Sequence, residues 1–460
     1  MNRPRIRISV LTCLLFTALG SWASAQTDDG LFQQFQFNFS PPGARAAGMG
    51  RTFIGLANDG TAAISNPAGL VQLGNAEFYV EYRHTDLDIE RLAEFDSLST
   101  NRTTTFGNSL DYLSFLSFTK KLHDRVWASF TIHQFLNLEE DFTLEPRIIP
   151  DLGPGVVTFF PSQGTFDMDG RSYAGSIAVN VAQGFNVGLT VSADVLNSET
   201  RETRFDLDFP PSGPPVANST AISRSVINDD DTAMSFTVGA LYDVVDGFSL
   251  GAIYAKGARF DLQENFFDLT TPDRGPADVD GDGTPDFPVE MSINVPDRYG
   301  FGLQVAPTRL ANIDSYRLTL AFDAVRIEYS DLLEDFTPIF SRAATNAANP
   351  LDENDFEIDD VWEAHLGGEL GVPFAGRNTA FFRAGFFTNP DHRQRFVGST
   401  GDPLNDAVFE SVFQFPDDGT EYGWTTGGGL ILNNRVRIDA AWVSIDSFQE
   451  IVASLAFAFP

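Results

Sequence analysis

Cysteine is almost absent from this chain, since Cys13 is the only one among 460 residues. It lies in an N-terminal segment where three arginines precede an apolar run from Ile8 to Leu19, and Ala23-Ser24-Ala25 follows this run. The pattern predicts a secretory signal peptide over residues 1–25. Its removal leaves a mature chain that begins near Gln26 and has no cysteine, which excludes a disulfide-rich secreted scaffold.

Basic residues are scarce as well. The chain has 30 Lys and Arg residues against 63 Asp and Glu, and loss of the three signal arginines leaves 27 basic residues, a net charge of −36. This balance argues against nucleic-acid binding, because phosphates need a basic surface. Acidic runs at Asp229–Asp231, Asp359-Asp360 and Asp417-Asp418 fall between candidate strands. We expect a monomer whose acidic exterior meets divalent cations at a surface of outer-membrane lipid and lipopolysaccharide.

Long apolar runs are missing from the mature chain. After residue 25 the sequence has no uninterrupted apolar segment of about 18 residues, the length typical of a membrane helix. Aromatic residues are nevertheless abundant, with 43 Phe. Because aromatic richness comes without membrane helices, the composition favours β-structure. In lipid a β-protein spans only as a closed barrel, since each unpaired backbone group costs several kcal/mol.

Apolar and polar residues alternate with a period of two in fourteen segments of roughly ten residues, as in transmembrane barrel strands. An even number is what a closed antiparallel barrel with both ends on one side requires. The segments are approximately 77–85, 112–120, 126–135, 172–181, 185–195, 234–244, 248–260, 299–307, 316–329, 361–371, 379–387, 422–432, 435–442 and 451–459.

The connections between these segments alternate in length. Short ones at 121–125, 182–184, 245–247, 308–315, 372–378 and 433–434 alternate with connections that are mostly longer than about twenty residues. Bacterial barrels have short periplasmic turns and long outer loops. The sequence therefore predicts an all-β fold, a transmembrane antiparallel β-barrel of about 14 strands over residues 77–460.

Residues 26–76 do not alternate and are rich in glycine and alanine, as in Gly43–Gly50 and Ile54–Ala63. Such a stretch packs compactly and turns sharply. Because a barrel of about 14 strands encloses a lumen wide enough to need a plug, we predict that residues 26–76 form an N-terminal hatch inside the lumen.

The hatch segment carries a resemblance to a known family. It contains Gly-Ala-Arg-Ala-Ala-Gly-Met-Gly from Gly43, followed by Asn66-Pro67-Ala68, and a Pro-Asp-Arg-Tyr segment at Pro296–Tyr299 enters a later strand. With Asp323, Tyr329-Ser330-Asp331, Gly367-Gly368-Glu369, Arg383-Ala384-Gly385 and Pro416-Asp417 in order, the chain resembles the FadL/TodX family of outer-membrane transporters for long-chain fatty acids and aromatic hydrocarbons.

This resemblance implies passive, energy-independent uptake through the outer membrane of a Gram-negative cell. A ligand would be caught among the outer loops, move to a pocket inside the barrel, and leave when the hatch rearranges or the wall opens. We assign Asn66, Pro67 and Ala68 to the hatch gate, with Asn66 holding the plug to the wall and Pro67 setting the bend. The alternative is an ordinary turn, because Asn-Pro pairs favour turns in any protein.

An apolar concentration lies in the outer connection between the third and fourth predicted strands, and it would be unfavourable in water. It is either a ligand-capture groove or a site of loop packing. Its residues are Ile148, Ile149, Val156, Val157, Phe159 and Phe160.

Three arginines of the last strands, Arg383, Arg435 and Arg437, point to the predicted lumen. They could bind the carboxylate headgroup of a ligand, because the guanidinium matches a carboxylate in geometry and charge. Alternatively, they pair with acidic residues across the barrel interior.

A possible calcium loop has the spacing Asp-x-Asp-x-Asp-Gly-x-x-Asp at Asp278, Asp280, Asp282 and Asp286. These carboxylates could converge on one Ca²⁺ in an extracellular loop. Val289 occupies the twelfth position, where a full EF-hand has Glu. We expect no other cofactor.

The sequence offers no pattern for catalysis: its five histidines show no metal spacing, and it has neither a Gly-x-Ser-x-Gly elbow nor a phosphate loop. We therefore interpret the chain as a channel for a hydrophobic small molecule and not as an enzyme. The alternative function is a barrel that serves as scaffold or partner of an outer-membrane secretion or assembly system.

Overall fold

The computed structural model describes residues 37, 39–95, 101–144, 147–148, 157–159, 161–208, 216–270, 287–313, 315–334, 353–392, 394–399, 401, 403, 406, 419–445 and 448–459. Its strands are β1 (Ala76–Phe95), β2 (Asn101–His123), β3 (Val126–Leu144), β4 (Arg147–Ile148), β5 (Val157–Phe159), β6 (Ser162–Ala182), β7 (Phe185–Asp208), β8 (Val216–Val245), β9 (Phe248–Lys256), β10 (Arg259–Asp268), β11 (Val289–Asn294), β12 (Arg298–Val305), β13 (Arg317–Ile327), β14 (Phe356–Glu357), β15 (Val361–Phe374), β16 (Asn378–Asn389), β17 (Arg395–Phe396), β18 (Glu421–Leu432), β19 (Val436–Ser444) and β20 (Phe448–Phe459).

Helical structure within these residues is short. The α-helices are α1 (Ala44–Gly48), α2 (Ala62–Ser65) and α3 (Pro307–Leu310), and the 3-10 turns are Pro67–Gln72, Tyr329–Leu333 and Glu353–Asp355. Among the described residues, none of the helices has the length and hydropathy needed to cross a membrane.

Fourteen of the described strands close into one antiparallel ring. They are β1, β2, β3, β6, β7, β8, β9, β12, β13, β15, β16, β18, β19 and β20, and each pairs with the next. The ring closes where β20 pairs with β1, from Ala76 opposite Phe459 to Leu87 opposite Phe448. This ring confirms the barrel predicted from the alternating segments.

The short turns lie together at one end of the ring. An example is the link between β18 and β19, where Asn433 and Asn434 both have positive φ, 52° and 54°. Asparagine tolerates this conformation, which matches the twist of a hairpin. The opposite end is called the outer end below.

Several strands extend further toward the outer end than the alternation predicts. The predicted strand at 234–244, for example, lies within the much longer β8, and the predicted loop around Asp229–Asp231 was wrong. Within β8, Asp229 and Asp231 accept backbone N–H groups of Gln263 and Asp261, at 2.9 Å each. These carboxylates therefore satisfy the backbone of the neighbouring β10, a tertiary role that strand propensity does not reveal.

An apolar belt surrounds the outside of the ring. Along β7 the outward residues run from Phe185 through Leu189 and Val191 to Val195, and then change to polar ones from Asn197 onward. Phe185, Leu189 and Val191 are 37–41% exposed. This length of about eleven residues is what a tilted strand needs to cross the hydrocarbon layer. The exterior is therefore that of a transmembrane barrel.

The Gly/Ala-rich segment lies inside the ring. Helix α1 contacts β16, β18, β19 and β20, while the 3-10 turn Pro67–Gln72 contacts β3, β6, β7 and β8 on the other side. Met49, Phe53 and Leu70 form a buried apolar centre with the wall residue Trp127. This part of the chain, Ser40–Leu73, is called the hatch below.

Several predicted site residues lie outside the described part of the chain. These are Ile149, Val156, Phe160, Asp278, Asp280, Asp282 and Asp286. Ile148, Val157 and Phe159 belong to a small ribbon of β4 and β5. The capture groove and the calcium loop therefore stay predictions.

The belt makes a test of the membrane-spanning arrangement possible. Leu189→Arg puts a charge near the middle of the apolar stretch of β7. It should lower the free energy of unfolding of the barrel in phospholipid vesicles by about 2–4 kcal/mol. Equilibrium unfolding in guanidinium chloride, followed by tryptophan fluorescence, measures the loss. The control is Leu310→Arg, since Leu310 is 49% exposed in α3 at the turn end of the barrel. Equal losses in both variants would contradict the position of the belt.

Candidate functional site

Asn66 joins the hatch to the barrel wall. It is fully buried, and its Nδ2 donates to the Ile54 carbonyl at 2.9 Å within the hatch and to the Ala240 carbonyl of β8 at 3.1 Å. Its Oδ1 accepts the N–H of Ala68 at 3.2 Å, which begins the 3-10 turn with Pro67 in the first position. The residues predicted for the gate therefore form one unit that bonds hatch to wall and turns the hatch chain.

Glycine pairs in the wall receive the hatch backbone. In each pair two glycines face one another across neighbouring strands, and a Cβ on either would overlap a hatch atom. The pairs are Gly188 with Gly239, Gly251 with Gly302, and Gly367 with Gly385. They contact the hatch at Asn66-Pro67, at Ile54-Gly55 and at Met49-Gly50, respectively. The hatch is thus seated in three notches that side chains would fill.

Polar side chains of the wall bind the backbone of the hatch between these notches. The Asp323 carboxylate of β13 accepts the N–H groups of Phe53 and Ile54, at 2.6 and 2.8 Å, and Thr425 of β18 accepts the N–H of Gly50 at 2.9 Å. Three further wall side chains donate to hatch carbonyls, namely Ser249 to Gly55, Thr190 to Ala63 and Trp127 to Leu73. Because buried backbone groups must be paired, these bonds hold the hatch against the wall.

A chain of alternating charges connects Arg45 and Asp59 of the hatch through the wall. In order it is Arg45, Glu369, Arg383, Asp439, Arg437 and Asp59, with closest N···O distances of 2.8, 2.7, 2.8, 2.7 and 3.3 Å. Arg383 and Asp439 are almost completely buried and are held together by charge more than by well-aligned hydrogen bonds. Removing one member would leave its neighbours as unpaired buried charges, which is strongly unfavourable.

The three arginines predicted for a ligand headgroup occupy different surroundings. Arg383 and Arg437 take part in the charge chain and bind carboxylates of wall and hatch. Arg435 lies exposed beside the turn between β18 and β19. For Arg383 and Arg437 the geometry thus agrees with pairing to acidic residues across the barrel interior. A ligand role for any of the three arginines stays a prediction.

A cavity of about 1080 Å³ lies between the hatch and the outer end of the barrel. Part of its wall is apolar and includes Phe37 and Phe39, which stack on each other at 5.5 Å, and Leu332. Phe135 enters the cavity at a bulge of β3 and stacks on Phe260. Cavities of this size and character bind small apolar ligands.

Two arginines line this cavity, and sequence reasoning assigned neither to the ligand. The Arg298 guanidinium lies 4.5 Å from the Phe39 ring and has no ion pair with any other described residue. The guanidinium of Arg51, in the hatch, lies 4.1 Å from the centre of the Phe387 ring. It is also 3.7 Å from the Glu450 carboxylate, which Arg83 contacts at 3.3 Å. Glu363, which also lines the cavity, acts electrostatically on both guanidiniums, while Arg298 forms no ion pair with any described residue.

Burial sets the ionisation of the groups around these arginines. It lowers the pKa of the Arg51 guanidinium, against the opposing effect of Glu450, so an additional anion beside Arg51 would be stabilised. Burial also lowers the pKa of His392, whose ring stacks on Tyr329 at 3.9 Å. His392 is therefore neutral at neutral pH, so the described cations that line the cavity are the two guanidiniums and Lys256, which pairs with Asp297 at 3.1 Å.

Solved structures of similar architecture include channels for hydrophobic compounds. A FadL homologue from Pseudomonas aeruginosa has a TM-score of 0.58 and 17% identity, over 93% of this chain and 99% of that one. The CymD monoaromatic hydrocarbon channel has a TM-score of 0.51 and 12% identity over 92% and 99% of the two chains. The toluene transporter TbuX from Ralstonia pickettii has a TM-score of 0.51 and 13% identity, over 92% of this chain and 100% of that one.

The chain has the fold of the FadL-type channels. No protein-family model and no curated protein sequence matches it. Identities this low establish the fold alone, that of a FadL-type barrel.

The wall glycines are the signal in the sequence that could have revealed the seating of the hatch. Glycine inside a strand weakens it and often marks the close approach of another backbone. Gly188, Gly239, Gly302 and Gly385 all interrupt otherwise regular strands. Their pairing across strands needs the register of the FadL-type barrel, which the sequence alone does not supply.

The notch at Gly239 makes the seating of the hatch testable. Gly239→Ala puts a methyl group against Asn66 and Pro67, and we expect a loss of stability of about 1–3 kcal/mol with a hatch displaced from the wall. Conductance in planar bilayers should show more frequent opening. Gly175→Ala is the matched control, because a Cβ at Gly175 meets no atom within 4 Å. Closed Gly239→Ala channels of unchanged stability would contradict the role of the notch.

Proposed function

We propose that this protein is a passive outer-membrane channel for hydrophobic compounds that carry a carboxylate, such as long-chain fatty acids. The observation that carries the proposal is a partly apolar cavity lined by Arg51 and Arg298, in which Arg298 forms no ion pair with any described residue and Arg51 shares Glu450 with Arg83. The apolar wall would stabilise the chain of the ligand by about 25 cal/mol for each Å² buried. The guanidiniums would bind the headgroup.

The hatch would serve as the gate of this channel. Apart from the continuous chain between Leu73 and β1, its contacts with the wall are hydrogen bonds, ion pairs and close packing. Such contacts can be exchanged when a ligand presses on the hatch. Because Arg51 belongs to the hatch and lines the cavity, binding of a carboxylate there would act directly on the gate.

The similar structures support a channel for apolar cargo, since they are a FadL homologue, a monoaromatic hydrocarbon channel and a toluene transporter. A hydrocarbon such as toluene has no group that could pair with Arg298. The unpaired guanidinium therefore favours an acyl carboxylate over a neutral hydrocarbon as the cargo of this chain.

Uptake of labelled octadecanoate is the direct test of transport. Cells that lack their own fatty-acid channel should take up the label faster when they express this protein, and a metabolic uncoupler should leave the initial rate of crossing into the periplasm unchanged. Expression should be verified by heat-modifiable migration of the folded barrel. Equal uptake with and without the protein would exclude transport, and a co-purifying secretion component would instead favour the scaffold function.

Arg298→Met tests the headgroup site. We expect the affinity of the purified protein for octadecanoate to fall about ten- to a hundred-fold, because a hydrogen bond to a charged group is lost. Affinity for octadecan-1-ol, which has the same chain and no charge, should stay the same. Arg309→Met is the control, since Arg309 is 63% exposed at the turn end of the barrel. An equal fall for acid and alcohol would mean that Arg298 supports the cavity wall without binding the carboxylate.

A further inference from the structure

The side of the cavity formed by β3, β6, β7 and β8 is polar. His133, Ser172 and Asp194 follow one another across three neighbouring strands, because His133 pairs with Ser172 and Ser172 pairs with Asp194. In the adjoining row toward the hatch, Ser192 of β7 pairs with Ser235 of β8. All five side chains line the cavity. They form a continuous patch, called the Asp194 patch below.

Asp194 is the centre of this patch. It is 3% exposed, the Ser172 hydroxyl donates to its Oδ1, and it has no ion pair with any described Arg, Lys or His. A buried carboxylate without a cation is unfavourable unless hydrogen-bond donors satisfy it. Because a carboxylate has about four acceptor positions, its serine neighbours leave room for another donor.

His133 adds a second polar group that the protein leaves available. It is 7% exposed, packs edge-on against Phe115 at 6.1 Å, and has no hydrogen bond or ion pair to another described residue. Its ring nitrogens can accept or donate, depending on the tautomer. The patch can therefore accept a hydrogen bond from a ligand group at Asp194, and the His133 ring can donate a hydrogen bond to the same group or accept one from it.

The patch adjoins an apolar cluster at its outer side. On the same inward face of β7, the next residue toward the outer end is Leu196, which is 1% exposed and packs with Ile227 and Phe260. The inward face of β7 therefore changes from buried apolar packing at Leu196 to a hydrogen-bonding group that lines the cavity at Asp194.

We propose that the Asp194 patch is a subsite for a hydroxyl group on the ligand, so that the preferred cargo is a hydroxylated long-chain carboxylate. This inference rests on the proposed function, because Arg51 and Arg298 would hold the carboxylate of the same molecule. The hydroxyl donates to Asp194 and accepts from Ser192, Ser235 or His133. A hydroxyl fits better than an ammonium group, because the apolar side chains that line the cavity, such as Phe37 and Phe135, make a buried charge far more unfavourable than a hydroxyl.

Binding of matched ligands tests the subsite. The purified, full-length mature protein in detergent is titrated with octadecanoate and with its 3-, 10- and 12-hydroxy derivatives. We expect at least one hydroxy acid to bind about ten- to a hundred-fold more tightly than octadecanoate, as a hydrogen bond to a carboxylate provides. Asp194→Leu should abolish this preference and leave the affinity for octadecanoate within about twofold. Asp194→Asn, which keeps an acceptor, should retain part of it.

The controls separate this inference from the proposed function. Asp246→Leu, in the exposed turn between β8 and β9, should behave as the unchanged protein. Heat-modifiable migration shows that each variant is folded. Equal binding of octadecanoate and all hydroxy acids, or a preference that survives in Asp194→Leu, overturns the subsite while the channel function stands. If none of the four acids binds, the proposed function fails and the subsite fails with it.

Discussion

Backbone hydrogen bonding around a closed ring is the constraint on which the rest of this structure depends. In hydrocarbon an unpaired N–H or C=O group has no water to bind, so the strands must pair without a free edge. The pairing of β20 with β1 completes this ring in the described chain. Closure creates a lumen, and both the hatch and the cavity exist because that lumen must be filled or lined.

The hatch solves the same problem on the inside of the ring. Its chain turns sharply and exposes many backbone groups, which wall side chains such as Asp323 and Thr425 satisfy. Glycine pairs let backbone approach backbone, so the contact is close at the notches. The interface combines these notches and polar bonds with apolar packing, for example of Phe53 and Leu70 in the cluster of Trp127.

Charged residues inside the barrel are paired in the hatch interface and incompletely paired in the cavity. The buried chain from Arg45 to Asp59 alternates in sign and is balanced, as a structural network in low dielectric must be. In the cavity the pairing is incomplete, since among the described residues Arg298 forms no ion pair with a carboxylate and Asp194 forms none with a cation. Groups that the protein leaves unsatisfied are where a ligand gains most by binding. Both proposals follow from this difference between paired and unpaired charges.

The sequence by itself determined the barrel, its strand number, the short turns and the special character of the hatch around Asn66. Period-two alternation and turn chemistry are local properties, so they can be read without the fold. Only the tertiary structure decided that Asp229 and Asp231 bond to a neighbouring strand, that Gly188 meets Gly239, and that Arg51 and Arg298, 247 positions apart, share a cavity with Asp194. These relations depend on register and closure, which bring distant residues together in a way that no local pattern records.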